Sequence, residues 1–237
     1  MTAVDYVAQP LAHGPDIARY VSPEHPAVVF DIGCHDGLDS IRYARLLPRA
    51  RVFAFEALPE VFHSIADNLR RFECHSVEPF NWALAAQRGE ADFFVSSGTP
   101  DDHRALEADW NYGNKSSSLL PPGEYPALCP WLKFERVIRV RTETLDNFCQ
   151  EHGLEIIDFI HMDVQGAELE VLAGARRTLP AIRVIWLEAK TRPLYQGQPL
   201  KPDVQQFMAQ HGFRMVKDTV GELTGDLMFV NAQLCPD

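Results

Sequence analysis

Residues 27–37 read AVVFDIGCHDG and place a β-strand directly before a glycine-containing turn. The β-branched and aromatic run at residues 27–33 predicts a strand, and Asp31 lies near its carboxyl end. Glycine is needed where a backbone passes close to a ligand, so Gly33 and Gly37 indicate a binding crevice. Carboxylates at strand ends of an open α/β sheet point into that crevice, which makes Asp31 a candidate ligand-binding residue.

Strand-like runs and helix-like stretches alternate through the rest of the chain, as in parallel sheets built with right-handed crossovers. Further strands are predicted at residues 51–57, 76–85, 91–96, 136–141, 156–164, 184–189, 213–217 and 227–230. Helices are predicted at about 39–47, from Pro59, after a cap at Thr142 or Thr144, at 168–179 and at 202–211. The predicted fold class is α/β: a doubly wound, mostly parallel, seven-stranded Rossmann-like sheet with an antiparallel C-terminal strand.

Two segments fall outside this alternation within the single domain predicted for residues 1–237. Residues 1–26 are an N-terminal extension, and residues 97–135 are a long insertion before the fourth parallel strand. Because Arg88-Gly89 is a turn dipeptide, the strand at 91–96 is predicted to form a hairpin with the strand at 76–85. The aromatic residues of the insertion would line a lid over an acceptor, or form a satellite cluster that pins the loop: Trp110, Tyr112, Tyr125, Trp131 and Phe134.

The residues around the first turn argue for a nucleoside without a diphosphate. A dinucleotide fingerprint needs Gly-x-Gly-x-x-Gly, but His35 stands at the middle glycine and Leu38 at the last. Glu56 ends the second strand, where a carboxylate can accept hydrogen bonds from both ribose hydroxyls. Acidic surroundings suit sulfonium and ammonium charges and would oppose a diphosphate. This pattern predicts S-adenosyl-L-methionine as the cofactor, unless Asp31 is a loop cap and Glu56 a solvated strand end.

Three segments resemble the FkbM family of S-adenosylmethionine-dependent methyltransferases, many of which O-methylate natural products or sugars. They are VVFDIGCHDG at 28–37, FAFEALPE at 53–60 and IDFIHMDVQGAELEVLAGA at 157–175. The resemblance covers roughly residues 28–190. It implies cofactor binding by Asp31, Gly33, His35, Gly37, Glu56, Ala57 and Asp163, with Asn81, Trp82 and Ala83 on the adenine side. Asp163, Gly166 and Glu168 also match the segment that contains the family's active-site strand.

The chain departs from this family at two positions. Members often carry Lys two residues before the aspartate and Glu two residues after it, where this chain has His161 and Gln165. The stretch NKSSS at 114–118 resembles a Ser-Ser-Leu-Leu pattern of the family, and Lys115 and Ser117 are accordingly predicted to bind substrate.

Asp163 and His161 are the catalytic candidates because they lie two residues apart on one face of a predicted strand. A carboxylate there can orient an acceptor hydroxyl, and an imidazole can accept its proton near neutral pH. A helix-start cap for Asp163 and a satisfied core histidine for His161 are the alternatives. Glu188 and Lys190 lie two residues apart on one face of the next predicted strand. Glu188 is a candidate for substrate binding, and the alternative is that the two residues form an ion pair with each other.

Charge and cysteine content exclude several classes of partner. Lys and Arg total 22 against 33 Asp and Glu, so the net charge of −11 disfavours a nucleic acid, which requires a basic surface. Five cysteines without a Cys-x-x-Cys pair predict reduced thiols in the cytoplasm and no metal site. We also expect no secretory signal, since the N-terminal segment carries Asp5, Pro10, His13 and Asp16 instead of a basic segment followed by an apolar run. No membrane partner is expected, since the chain has no run of about eighteen apolar residues.

The sequence therefore predicts an S-adenosylmethionine-dependent methyltransferase that acts on a hydroxyl of a small metabolite, sugar or natural product. Oxygen as the acceptor atom follows from the resemblance alone, and a homodimer is left open. An NAD-dependent oxidoreductase would share the fold, but this chain lacks the glycines with which such enzymes bind the pyrophosphate. A non-catalytic cofactor-binding protein would never release S-adenosylhomocysteine with any acceptor.

Overall fold

The computed structural model describes residues 2–99 and 113–236 of the chain. Its strands are β1 (Val28–Ile32), β2 (Arg51–Phe55), β3 (Val77–Phe80), β4 (Ala83–Leu84), β5 (Gly89–Ser97), β6 (Lys133–Glu143), β7 (Ile157–Met162), β8 (Ile182–Lys190), β9 (Phe213–Asp218) and β10 (Thr224–Asn231). Its α-helices are α1 (Ala3–Ala8), α2 (Gly14–Tyr20), α3 (Leu38–Leu46), α4 (Pro59–Arg71), α5 (Tyr125–Leu128), α6 (Leu145–His152), α7 (Glu168–Ala173) and α8 (Lys201–Gln210). Short 3₁₀ helices cover Gly113–Ser116 and Leu179–Ala181.

The main sheet has seven strands in the order β3-β2-β1-β7-β8-β10-β9. Strands β3, β2, β1, β7 and β8 are mutually parallel, whereas β10 is antiparallel to both β8 and β9. This confirms the predicted α/β sheet of seven strands with an antiparallel C-terminal strand. The strand order reverses between β1 and β7, and ligands of open α/β sheets bind at the carboxyl ends of the strands beside such a switch point.

Apolar layers cover both faces of this sheet. On one face Phe30 and Phe55 pack against Phe148 of α6, with ring centroids 5.5 and 5.0 Å away. On the other face Phe159 packs against Tyr43 of α3 at 5.2 Å. Strands buried on both sides require near-continuous apolar runs, which explains why β1 reads VVFDI.

The strand predicted at residues 76–85 is divided between two sheets. After Phe80 the chain leaves the main sheet, and the Asn81 side chain donates hydrogen bonds to the backbone carbonyls of Glu56 at 2.8 Å and Ala57 at 3.2 Å. Strand β4 then pairs with β6 in a separate three-stranded sheet of order β4-β6-β5.

The predicted hairpin between residues 91–96 and the preceding strand is wrong. Strand β5 pairs antiparallel with β6 instead, over most of the length of both strands. Phe93 and Val95 of β5 share a buried cluster with Val140 of β6, and this distant apolar partner outweighs the local turn signal. The segment predicted as an insertion at 97–135 is therefore the connection between two paired strands, and its last residues already belong to β6.

Three of the five aromatic residues named in the predicted insertion lie among the described residues: Tyr125, Trp131 and Phe134. Trp110 and Tyr112 lie outside the described residues. Tyr125 and Phe134 pack edge-on against Tyr195, with ring centroids 5.6 and 6.2 Å away. These two contacts favour a hydrophobic cluster that anchors the connection. They do not favour the alternative interpretation, an aromatic wall around an acceptor.

The helix predicted at 168–179 ends early, at Ala173. Gly174 follows it, and a Cβ at this position would lie 2.2 Å from the backbone oxygen of Ala85. The carbonyl of Gly174 accepts the backbone N–H of Asp146 at 3.0 Å, so the chain is attached to α6 here instead of continuing the helix. Among the helices of the described residues, none is long and apolar enough to cross a bilayer.

Thr144 caps α6, which decides between the two threonines that the sequence offered. Its hydroxyl accepts the backbone N–H of Asn147 at 3.1 Å, whereas Thr142 lies within β6. We expect Thr144→Ala to lower the free energy of unfolding by about 1 kcal/mol, as for other lost N-caps. Thr144→Ser keeps the hydroxyl, so its free energy of unfolding should decrease clearly less. Urea denaturation of both variants measures this, and equal losses would show that the hydroxyl does not stabilise the helix.

Candidate active site

A cavity opens at the carboxyl ends of β1, β2 and β7, beside the switch point of the sheet. Strands β2, β4 and β5 and the connection that follows β5 give it an apolar end, lined by Phe55, Ala57, Trp82, Ala83, Leu84, Phe93 and Leu119. Helix α1, the 3₁₀ helix of the same connection and the elements around β1 and β7 give it a mainly polar end, lined by Tyr6, Asp31, Asp36, Asp39, Asn114, Lys115, His161 and Asp163. The apolar side chains of Ile32, Leu38 and Val164 also line this end. Glu56 also lines the cavity, at the end of β2. The cavity is thus amphipathic along its length.

The turn after β1 needs glycine for two separate reasons. Gly33 has a φ of +83°, and a Cβ there would lie 1.9 Å from the backbone oxygen of Asp163. Only glycine allows the ends of β1 and β7 to approach this closely. Gly37 has a φ of +76° and starts α3, with its position packed against Ile65. His35 between them has a φ of +50°, a conformation that costs energy for a residue with a Cβ.

Glu56 holds this strained turn in place. Its carboxylate accepts the backbone N–H of His35 at 3.0 Å and that of Leu58 at 2.7 Å. Glu56 is 8% exposed, and burial raises the pKa of its carboxyl to about 7, against the opposing effect of these hydrogen bonds. Each carboxylate oxygen keeps a second lone pair, which ribose hydroxyls could use.

Asp31 and His161 form a buried pair on adjacent strands. Asp31 is fully buried, and its carboxylate accepts the Ser40 hydroxyl at 2.5 Å and lies 2.7 Å from Nδ1 of His161. Burial disfavours the charged imidazole, but the hydrogen bond and the charge of Asp31 outweigh it and raise the pKa of His161 to about 9. His161 is therefore an imidazolium at neutral pH.

Gln165 fixes the side chain of Asp163. Its amide nitrogen donates to Asp163 Oδ1 at 2.6 Å and to Glu188 Oε2 at 3.0 Å, while its oxygen lies 2.9 Å from the Tyr195 hydroxyl. The backbone of Gln165 has a φ of +55°, a second strained residue beside the cavity. A carboxylate with so little freedom is suited to one defined contact with a substrate.

Three carboxylates converge at the cavity wall, with oxygens within 4.8 Å of one another: Asp163 on the wall, and Glu168 and Glu188 behind it. The Lys190 ammonium, on a residue only 3% exposed, pairs with Glu188. Burial raises the pKa of Glu168 and of Glu188 to about 7. Lys190 supplies positive charge to this cluster.

Trp82 forms part of the apolar end and is backed by a cation. The Arg141 guanidinium lies 3.9 Å from the centroid of its indole ring, close enough for a cation–π contact. A ring held in this way can offer a flat surface to a nucleobase.

Most of the sequence-predicted residues meet at this cavity. Its described wall includes the predicted cofactor residues Asp31, Gly33, His35, Glu56, Ala57, Trp82, Ala83 and Asp163, and the predicted substrate residues Lys115 and Ser117. Three of the predicted cofactor and substrate residues are not on that wall: Gly37 shapes the turn, Asn81 donates to the carbonyls after β2, and Glu188 lies behind Asp163. Gly166 and Glu168 are not on it either, since Gly166 lies in the turn after β7 and Glu168 starts α7. The roles of all these residues remain predictions.

Some residues of the cavity wall come from distant parts of the chain and were not predicted from the sequence. Tyr6 of α1 donates its hydroxyl to Asp39 of α3 at 3.0 Å, which brings the N-terminal extension to the cavity. A capping box between Thr2 and Asp5 marks the start of α1 in the sequence, but it does not reveal where the helix docks. Asn114, which lies 2.8 Å from His35 Nε2 through its side-chain oxygen, was likewise not singled out.

Comparison with known proteins places the chain in a family. The methyltransferase FkbM domain model matches residues 31–215. The 2-O-methyltransferase NoeI of Sinorhizobium fredii is 34% identical over 208 residues, which cover 87% of this chain and 80% of that protein. The chain belongs to the FkbM methyltransferase family. It is an S-adenosylmethionine-dependent methyltransferase, as the resemblance implied, and not an oxidoreductase of the same fold.

Two further similarities are weaker. Methyltransferase sdnD of Sordaria araneosa is 26% identical over 217 residues, covering 87% of this chain and 80% of that one. The crystal structure of an rRNA methylase from Streptococcus thermophilus superposes with a TM-score of 0.50 at 11% identity, covering 94% of this chain and 96% of the other. The latter likeness concerns the fold alone.

The cavity of this methyltransferase fits S-adenosylmethionine by its own chemistry. The apolar end suits an adenine ring, and the Glu56 carboxylate suits ribose hydroxyls. The acidic end suits the sulfonium and ammonium charges.

Proposed function

We propose that this methyltransferase O-methylates a hydroxyl of a small metabolite, sugar or natural product, and that Asp163 receives the hydroxyl proton. The observation that carries the proposal is the Asp163 carboxylate on the cavity wall, fixed by Gln165 at 2.6 Å. The name of the relative NoeI, a 2-O-methyltransferase, supports oxygen as the acceptor atom.

The chemistry follows from the weakness of an alcohol as a nucleophile. The bound cofactor supplies an electrophilic methyl group on a sulfonium. An O–C bond forms as the S–C bond breaks, and the hydroxyl proton passes to the Asp163 carboxylate. The protein's contribution is to align the acceptor oxygen and to hold the carboxylate that takes its proton.

The connection between β5 and β6 is proposed to cover the acceptor. Asn114, Lys115, Ser117 and Leu119 of this connection line the cavity, so it brings polar groups and one apolar side chain to the site. A small acceptor is favoured over a nucleic acid by the net charge of −11. A cytoplasmic location is supported by five cysteines that are all free thiols. The single domain and the homodimer stay predictions.

An acceptor screen tests the proposal, with S-adenosylhomocysteine release as the measurement. Each hydroxylated compound is paired with its deoxy analogue and with the analogue that carries an amine in place of the hydroxyl. We expect release with at least one alcohol and none with its deoxy partner. Release with amines alone would replace O-methylation by N-methylation, and no release across a broad screen would count against a hydroxyl acceptor.

A further inference from the structure

The two ends of the cavity fix the direction in which the cofactor lies. The adenine ring needs the apolar end near Trp82, and the ribose needs the Glu56 carboxylate. The methionine half therefore extends to the polar end, between β1 and β7. Asp31 and His161 are paired neighbours on these two strands and both line the cavity there.

This end of the cavity presents an electrostatic problem. The methionine half carries an ammonium, a sulfonium and one carboxylate. Acidic side chains surround it, namely Asp31, Asp36, Asp39 and Asp163, and they suit the two cations but repel the carboxylate. Among the described residues on the wall, three side chains can carry a positive charge: His35, Lys115 and His161. The His35 Nε2 already lies 2.8 Å from the side-chain oxygen of Asn114, so Lys115 and His161 are the candidates that could compensate.

The His161 ring is held so that one nitrogen faces inward and the other remains for a ligand. Nδ1 pairs with Asp31 at 2.7 Å, and Asp31 is itself fixed by Ser40. The ring packs beside Tyr43, with centroids 5.4 Å apart, and stacks at 6.4 Å on His13. The side chain keeps 15% exposure and lines the cavity, which leaves Nε2 as the second donor.

The charges around this ring keep it protonated. The titratable groups that influence it come from several elements: Asp31 of β1, Asp39 and Tyr43 of α3, Asp163 after β7, Asp226 of β10, and His13 before α2. Burial, followed by the charge of His161, lowers the pKa of His13 to about 4, so His13 is neutral while the pKa of His161 is raised to about 9. An imidazolium is a poor proton acceptor and a good partner for an anion.

We propose that His161 binds the carboxylate of the methionine half of the cofactor, with Asp31 holding the ring in its cationic and correctly oriented form. His161 is then a cofactor-binding residue and not the base that the sequence pattern suggested. Lys115 is the less suitable anchor because it lies on the Gly113–Ser116 turn, while His161 is fixed within the sheet beside Asp31. The inference rests on cofactor binding and is independent of the acceptor.

The test is a thermodynamic cycle in which the His161 side chain is removed by substitution and the cofactor carboxylate by use of an analogue, each alone and both together. Calorimetry measures the binding of S-adenosylmethionine and of decarboxylated S-adenosylmethionine, which keeps both positive charges, to the wild type and to His161→Asn. The asparagine amide can still donate to Asp31 but lacks Nε2 and the charge. We expect His161→Asn to weaken S-adenosylmethionine about tenfold and to change the affinity of the decarboxylated ligand less than about twofold.

Two matched variants complete the experiment. His13→Asn removes the neutral neighbouring imidazole and should keep the wild-type preference for the carboxylated ligand, as should Lys115→Met. Equal losses for both ligands in His161→Asn would indicate a structural role and overturn the proposal. Loss of the preference in Lys115→Met alone would overturn it in favour of the lysine. A screen that finds no alcohol acceptor would reject the proposed O-methylation and leave these binding results valid.

Discussion

Replacing Asp163 with asparagine is expected to lower kcat about 100- to 10,000-fold, the usual contribution of a general base. The substitution keeps the size of the side chain and an oxygen that can accept the Gln165 amide, whose nitrogen lies 2.6 Å from Asp163 Oδ1 in the wild type. It removes the negative charge that would take the acceptor proton. The dissociation constant of S-adenosylmethionine should change far less than kcat, because Asp163 is only one of several acidic side chains around the methionine half.

The measurement combines S-adenosylhomocysteine release with calorimetric binding of the cofactor. Asp67→Asn is a suitable control, since Asp67 is an exposed residue of α4 with 73% of its side chain accessible. It should retain wild-type values of both constants. A variant of Asp163 with nearly normal kcat would remove it from proton transfer, and a loss confined to cofactor affinity would assign it to the cofactor.

The sequence predicted the half of the site that depends on local signals. Asp31, Gly33 and Glu56 occupy strand ends or the turn next to one, and the position of a strand end follows from a short run of residues. In a parallel sheet these ends meet at one edge, so local predictions combine into a cavity without knowledge of the loops. For this reason the place of these three residues on the cavity wall could be predicted from the sequence.

The rest of the site depends on contacts between distant segments. The pairing of β5 with β6 joins segments separated by the connection, and no local turn pattern encodes it. Tyr6 reaches the cavity only because α1 docks on α3. The charge of His161 also depends on a distant segment. The spacing between His161 and Asp163 is visible in the sequence, but the hydrogen bond between His161 and Asp31, which keeps the imidazole protonated, is not. A residue type predicts what chemistry is available, and its neighbours decide which form of it is present.

Replacing Glu56 with glutamine is expected to weaken S-adenosylmethionine about 10- to 100-fold. A charge-assisted hydrogen bond contributes roughly 1.5–3 kcal/mol, and the ribose offers two hydroxyl donors to this carboxylate. Glutamine is preferable to alanine because one oxygen still accepts a backbone N–H of the strained turn. Glu78→Gln, on an exposed residue of β3, is the matched control and should bind the cofactor normally.

The same residue should make cofactor binding depend on pH. Burial raises the pKa of Glu56 to about 7, so its carboxyl is largely protonated at pH 6 in the free protein. Ribose hydroxyls donate best to the ionised form, and binding therefore releases a proton in this range. The dissociation constant of the wild type should fall as pH rises from about 6 to 8. Glu56→Gln cannot titrate, so its dissociation constant should lack this change while Glu78→Gln retains it. Calorimetry across this range measures both curves, and parallel curves for wild type and Glu56→Gln would assign the pH dependence to another group.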